Sequence, residues 1–213
     1  IFGSIFVIAI IFFVAFHFIF LEHVVNYWWF QSLNLESYFW LRLLYKYLLS
    51  GGVTLTFFAI FFFHFWIASR YLGLNPPHET INNSAKRIRF QSFADVFMGG
   101  TVKVYTPISL ALAIFVAIPF YNQWEASLLF FFGSDSGVTE SIYGRDISFY
   151  LLSYPIYLLI QKELLTTAAL VFSFVGILYW LEHIFIPHQK KEYHLGAKIH
   201  LTILISFVVG FVV

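Results

Sequence analysis

Cysteine is absent from this 213-residue sequence, methionine occurs once, and charged residues make up only 11% of it. Without cysteine the chain can hold no disulfide, no thiolate-ligated iron–sulfur centre and no thiol nucleophile, although its redox compartment stays open. The scarcity of charge excludes more. Soluble domains carry about 25% Asp, Glu, Lys and Arg, so this chain has too little charge to coat a water-soluble globule. A net charge of +1 offers no clustered basic face and hence no electrostatic case for a nucleic-acid partner. The sequence also lacks a phosphate loop, a nucleophile elbow and an HExxH spacing, and it has no paired carboxylates within one span. Classical catalysis therefore has no foothold, and an enzyme is not the expected class.

What is present is apolar. Hydrophobic residues make up 60% of the chain and aromatics 23%, with 29 Phe alone, and the mean hydropathy is +0.81. These numbers point to an integral membrane protein whose first partner is the lipid bilayer. The expected fold class is all-α, a polytopic transmembrane bundle with about five spans, since each crossing takes about 20 helical residues.

The spans are expected at residues 1–20, 48–68, 104–121 and 164–186, with a fifth opening at 199–213. Pro107 and Pro119 fall in the first and last turns of the third span, where proline is tolerated. Residues 21–40 read as an aromatic-rich connector and residues 122–146 as a second, polar one, after which an apolar segment runs from Ile147 past Pro155, pauses at Gln161-Lys162-Glu163 and becomes the fourth span. Within residues 122–146, the apolar run 128–132 is too short to cross. Gly51-Gly52 in the second span marks a flexible point or a close helix approach. Lys162 and Glu163 are expected just before the fourth span, and no span is expected to carry a charge near its centre. The whole chain, 1–213, reads as one transmembrane domain. Because it opens on Ile1 and ends within an apolar run at Val213, it is expected to be part of a longer protein.

Basic residues near span ends set orientation. Arg70, Lys86, Arg87, Arg89 and Lys103 flank the connector after the second span, and Lys190, Lys191 and Lys198 the one after the fourth. The connector between the third and fourth spans carries Glu125, Asp135, Glu140 and Asp146 against Arg145. Arg42 and Lys46 fall on the opposite side to the rule. The expected placement is a multi-pass protein of the cell inner membrane, its N-terminus cytoplasmic and the 21–40 and 122–160 connectors outside.

Two stretches carry a family resemblance. The first is Asn26-Tyr27-Trp28-Trp29-Phe30-Gln31-Ser32-Leu33-Asn34-Leu35-Glu36-Ser37-Tyr38-Phe39-Trp40. The second combines Gln123-Trp124-Glu125, Leu129-Phe130-Phe131-Phe132, Gly137-Val138-Thr139-Glu140-Ser141-Ile142-Tyr143-Gly144-Arg145-Asp146-Ile147-Ser148-Phe149-Tyr150 and Tyr154-Pro155-Ile156-Tyr157. In content, order and spacing these blocks resemble the uncharacterised protein family 0182 of prokaryotic membrane proteins. The chain departs from that pattern in having Ser136 before Gly137, and Glu140-Ser141 where the family has Asp-Pro. The resemblance implies the N-terminal membrane part of a longer protein with a large extracytoplasmic domain. It implies no activity.

Three readings of function follow. The leading one is a non-catalytic structural or anchoring subunit of a membrane complex, probing other membrane-protein subunits through Trp28, Trp29, Trp124, Arg145, Asp146 and Tyr150. Asp146 has a plainer role available, as cap of the helix that begins at Ile147. The second reading uses the histidines. His64, His183, His188, His194 and His200 gather toward the expected cytoplasmic face, where His64, His183, His188 and His200 could ligate a haem, a (bacterio)chlorophyll or a metal. No recognised metal-ligand spacing accompanies them. The third reading, a transporter or channel, would need a polar path through the spans.

Overall fold

The computed structural model describes residues 2–72, 102–185 and 195–212. The described residues form six α-helices and a one-turn π-helix: α1 (Phe2–Ser32), α2 (Glu36–Tyr71), α3 (Val102–Asn122), α4 (Trp124–Phe132), the π-turn (Phe149–Ser153), α5 (Tyr154–Phe185) and α6 (Leu195–Val212). Among the described residues no strand is formed, only an isolated bridge between Thr139 and Asp146. Four helical segments are long and apolar enough to cross a membrane: Glu36–Tyr71, Val104–Asn122, Phe149–Trp180 and Leu195–Val212. The chain is thus an all-α, multi-pass membrane protein. The basic residues 86–89 and 190–191 that set the expected orientation lie outside the described residues.

Residues 1–48 and 49–213 form two compact units. In the first, the expected 21–40 connector is mostly helix. α1 runs on to Ser32, and α2 begins at Glu36 rather than near residue 48. Asn34, at φ 56°, provides the left-handed residue that ends α1. Leu35 N–H donates to Phe30 C=O at 2.9 Å and Asn34 N–H to Gln31 C=O at 3.0 Å. This pair of reversed bonds is a Schellman motif, which satisfies carbonyls that the last turn leaves open. The amides and aromatics that suggested a loop therefore pack as a helical hairpin. Tyr27 meets Phe39 edge-on at 5.4 Å, Phe30 lies 5.8 Å from both Tyr38 and Phe39, and His23 Nε2 is 3.2 Å from the Tyr47 hydroxyl.

In the second unit, buried stripes repeat at helical spacing. Phe57, Phe61 and Phe65 come from α2, Ala113, Val116 and Phe120 from α3, and Ala197, His200 and Leu204 from α6. On α5 every fourth residue from Leu159 to Tyr179 is buried: Leu159, Glu163, Thr167, Val171, Val175 and Tyr179. Such an i+4 row is the ridge that inserts between neighbouring helices. Phe57 and Phe120 approach to 6.1 Å and Phe65 and Phe174 to 6.4 Å, linking α2 to α3 and α5. Gly51 and Gly52 lie within uninterrupted helix with open space around them, so they mark neither a break nor a close approach.

The start of the fourth span is also revised. Instead of opening at Leu164, the helix is continuous from Tyr154, and the π-turn extends it back to Phe149. Pro155 has no N–H to offer the preceding turn, and the chain widens there, with Tyr154 N–H bonding Phe149 C=O. Glu163 consequently sits in mid-helix and is only 4% exposed. The Gln-Lys-Glu cluster, expected just before the fourth span, lies instead within the continuous helix, where Gln161 and Lys162 are exposed and Glu163 faces inward.

Candidate functional site: a carboxylate-tied loop and a buried imidazole pair

The loop joining α4 to the π-turn starts at Gly133, whose N–H bonds Leu129 C=O at 2.7 Å. A Cβ at this position would press into that carbonyl and lie 2.7 Å from Leu152 Cδ1, so only glycine leaves α4 this way. The loop then folds on itself. Ile147 N–H donates to Val138 C=O at 3.0 Å, Glu140 N–H to Arg145 C=O at 2.8 Å and Gly144 N–H to Glu140 C=O at 3.1 Å.

Two carboxylates hold this fold. Asp146 Oδ1 accepts from Ser148 N–H at 2.7 Å, Ser136 Oγ–H at 2.8 Å and Ser136 N–H at 3.1 Å, and Oδ2 accepts from Gly137 N–H at 2.9 Å. Gly137 reaches that position at φ 74°, a conformation glycine adopts without strain. Glu140 accepts from Ile142 N–H at 2.8 Å, Tyr143 N–H at 3.3 Å and the Tyr150 hydroxyl at 2.9 Å. Hydrogen bonding from Ser148, then Ser136, holds the Asp146 carboxyl far below the usual carboxylate range. At Glu140 partial desolvation acts in the opposite sense. It is outweighed by the bonds from Ile142, Tyr150 and Tyr143, so this carboxyl is lowered too.

Asp146 therefore caps the turn after it, as the sequence suggested, and also ties down the loop ten residues upstream. Tyr150 is turned to Glu140, and the Arg145 guanidinium lies 4.8 Å over the Phe149 ring. Trp124, the first residue of α4, is half-buried, whereas Trp28 and Trp29 on α1 are exposed. At the tip stand two residues that the sequence reading passed over, Ile142 at 81% and Tyr143 at 79% exposure. The signal available was a large apolar pair inside a turn bounded by Glu140 and Gly144.

The second constellation packs among α2, α5 and α6, with His64 half-buried. Nδ1 of His64 lies 3.1 Å from Nε2 of His200, the ring centroids 5.5 Å apart and the ring planes 6° from parallel. Nδ1 of His200 lies 3.0 Å from the Tyr179 hydroxyl. His200 is 5% exposed and Tyr179 2%. The structure thus brings His64 and His200 together. His183 lies on α5, but its side chain is outside the described residues, as are His188 and His194. Both ring nitrogens of His200 are engaged, and only Nε2 of His64 stands outside these two bonds. Axial ligation of a haem or chlorophyll by both imidazoles would require breaking the His200 bonds, so the pair as arranged does not fit that role. Among the described residues no group of three or more His, Asp or Glu converges as a metal site.

His64 also lines a cavity of about 220 Å³ with Ile60, Leu164, Thr167, Val171 and Leu204 among its walls. Tyr179 was missed in the sequence because it reads as one more aromatic. Its place on the inward row with Val171 and Val175 was the available signal.

Beyond geometry, the model of the Uncharacterised protein family (UPF0182) matches residues 3–213. The chain belongs to this family. It is similar to a UPF0182 protein of Methylococcus capsulatus, 48% identical over 84% of this chain and 20% of the relative. It is also similar to a UPF0182 protein of Syntrophobacter fumaroxidans, 44% identical over 88% of this chain and 21% of the relative. A UPF0182 protein of Nitrosococcus oceani is 40% identical over 87% and 21% respectively. The chain spans about a fifth of the length of these curated relatives. No solved structure matches it.

Proposed function

We propose that this UPF0182 chain is a non-catalytic membrane anchor, and that its 133–148 loop docks the extracytoplasmic part of the longer protein to which it belongs. One observation carries the reading: seven hydrogen bonds to Asp146 and Glu140 order a loop whose tip exposes Ile142 and Tyr143. A flexible loop could fold its apolar side chains away. This one is tied in a form that displays them, and a pre-ordered surface loses less entropy on binding. Exposed aromatic and aliphatic anchors on a rigid frame are what interface hot spots are made of. The relatives' greater length supports an occupant within the same polypeptide, and the basic-residue count supports the inner membrane with this loop outside.

The test is limited proteolysis of the full-length protein carrying Ile142→Asp and Tyr143→Asp. Docking predicts that the extracytoplasmic part becomes at least several-fold more susceptible while the thermal stability of the membrane part is unchanged. Unchanged susceptibility, or membrane release caused only by altered lipid composition, would contradict it and favour insertion of the tip among headgroups.

A further inference from the structure

We infer that the cleft running from His64 along α2 and α5 holds one tail of a bilayer glycerolipid, with the lipid's ester carbonyl at Nε2 of His64. This binding site is separate from the docking loop. His64 lines a cleft of about 220 Å³ whose walls include Ile60, Leu164, Val171, Leu204 and Phe207. A second cleft of about 240 Å³ adjoins it, sharing Ile60 and Leu164 and continuing past Val53, Phe120 and Ile156 to Leu49. The tails of one leaflet span half of a hydrocarbon core roughly 30 Å thick. Between Leu49 and His64, α2 rises about 22 Å, so the two clefts together take a tail end to end.

The polar atoms along this path decide what enters it. The hydroxyls of Thr56, Ser127 and Thr167 each donate to the carbonyl four residues back in their own helix, at 3.0, 3.0 and 2.7 Å. They ask nothing of a ligand. Nε2 of His64 is different. Among the described residues the one sealed polar side-chain atom lacking a partner is Ser109 Oγ, so the equally unbonded Nε2 is open to an incoming group. Its proton is set from behind. A phenol hydroxyl donates more readily than it accepts, so Tyr179 donates to Nδ1 of His200 at 3.0 Å. His200 then carries its proton on Nε2 and donates to Nδ1 of His64 at 3.1 Å. That leaves His64 protonated on Nε2, a single donor at one end of an apolar cleft.

One donor above a long apolar path matches one acceptor above a long hydrocarbon tail. His64 stands seven residues before Tyr71, the end of α2, and the cleft runs from it toward the middle of the helix. An ester carbonyl sits at the edge of the hydrocarbon core with its tail directed inward, the same arrangement. Other occupants fit less well. Water would find one partner at His64 and apolar walls elsewhere, whereas a buried water needs two to four. A transmembrane helix laid over the cleft brings no free backbone acceptor, since its carbonyls are spent on its own hydrogen bonds. A quinone would push its second carbonyl among apolar walls, while the remaining polar groups of a glycerolipid lie outward of the tail.

The experiment weighs the full-length protein by native mass spectrometry after purification in mild detergent, then titrates lipid-stripped protein with a diacyl phosphatidylglycerol and with its dialkyl ether counterpart. Wild type should retain one adduct of glycerolipid mass. It should bind the ester lipid roughly threefold to tenfold more tightly than the ether, the difference one hydrogen bond makes. Ile60→Trp, which fills the wall common to both clefts, should lower occupancy by about tenfold or more, with thermal stability in lipid-free detergent unchanged. If that variant fails to fold, the ester-to-ether ratio of wild type decides. Absence of a glycerolipid adduct, an adduct of quinone mass in its place, equal affinity for ester and ether, or equal occupancy in wild type and folded Ile60→Trp would each overturn the site.

Discussion

Nδ1 of His64 and Nε2 of His200, 136 residues apart in sequence, meet at 3.1 Å with their rings nearly parallel. An apolar bundle offers neither nitrogen another strong partner, so each imidazole depends on the other. Replacing His200 with Ala should strand the remaining groups and destabilise the protein by about 1–3 kcal/mol. A double-mutant cycle with His64→Ala, followed by thermal unfolding in detergent, should show that the two losses do not add.

Acid should loosen the loop in a defined order. Both carboxyls titrate lower in the folded loop than free, Asp146 the further. Their stabilisation is therefore complete above the ordinary carboxylate values of about 4 and fades as pH falls through the folded ones. Backbone amide shifts of Ile142 and Tyr143, held by Glu140, should move at higher pH than those of Gly137 and Ser148, held by Asp146. Asp146→Asn should perturb Ser136, Gly137 and Ser148 at neutral pH and leave the tip turn at Ile142 in place.

Ser109 is fully buried, and among the described residues its hydroxyl is the one buried side-chain polar atom without a hydrogen-bond partner. Burial of an unpaired polar group costs about 1–3 kcal/mol by mutational comparison. Ser109→Ala should recover an amount of that order, seen as a higher unfolding temperature in detergent. A destabilised variant would mean that the hydroxyl is structurally required.

Asn34 tests the hairpin turn. Glycine at this left-handed position should leave stability unchanged or slightly raised, whereas Asn34→Val should lower it by about 1–2 kcal/mol. Thermal unfolding of the three forms compares them directly.

The all-α membrane class was plain in the sequence because it rests on summed composition, and α3 appeared within two residues because its apolar run and its terminal prolines agree. Helix boundaries at α1, α2 and α5 were hidden for one reason. Polar and aromatic residues such as Asn26, Arg42 and Glu163 look like connectors when read locally, but backbone hydrogen bonding continues through them. The pairing of His64 with His200 could be anticipated only as a shared membrane face. Tyr179, the third member, was legible as an inward residue on the row of Val171 and Val175, but its meeting with His200 depends on the register of α5 against α6. In the loop, Asp146 was legible as a cap, while its reach back to Ser136 and Gly137 depended on a fold that spacing alone does not reveal.

The most direct test of the docking account is photocrosslinking from position 143 in the full-length protein, in native membranes, with a photoreactive aromatic residue replacing Tyr143. The account predicts an intramolecular crosslink to the extracytoplasmic part of the same polypeptide, weakened when Asp146→Asn releases the loop. Crosslinks to lipid alone, or a yield unaffected by Asp146→Asn, would contradict it.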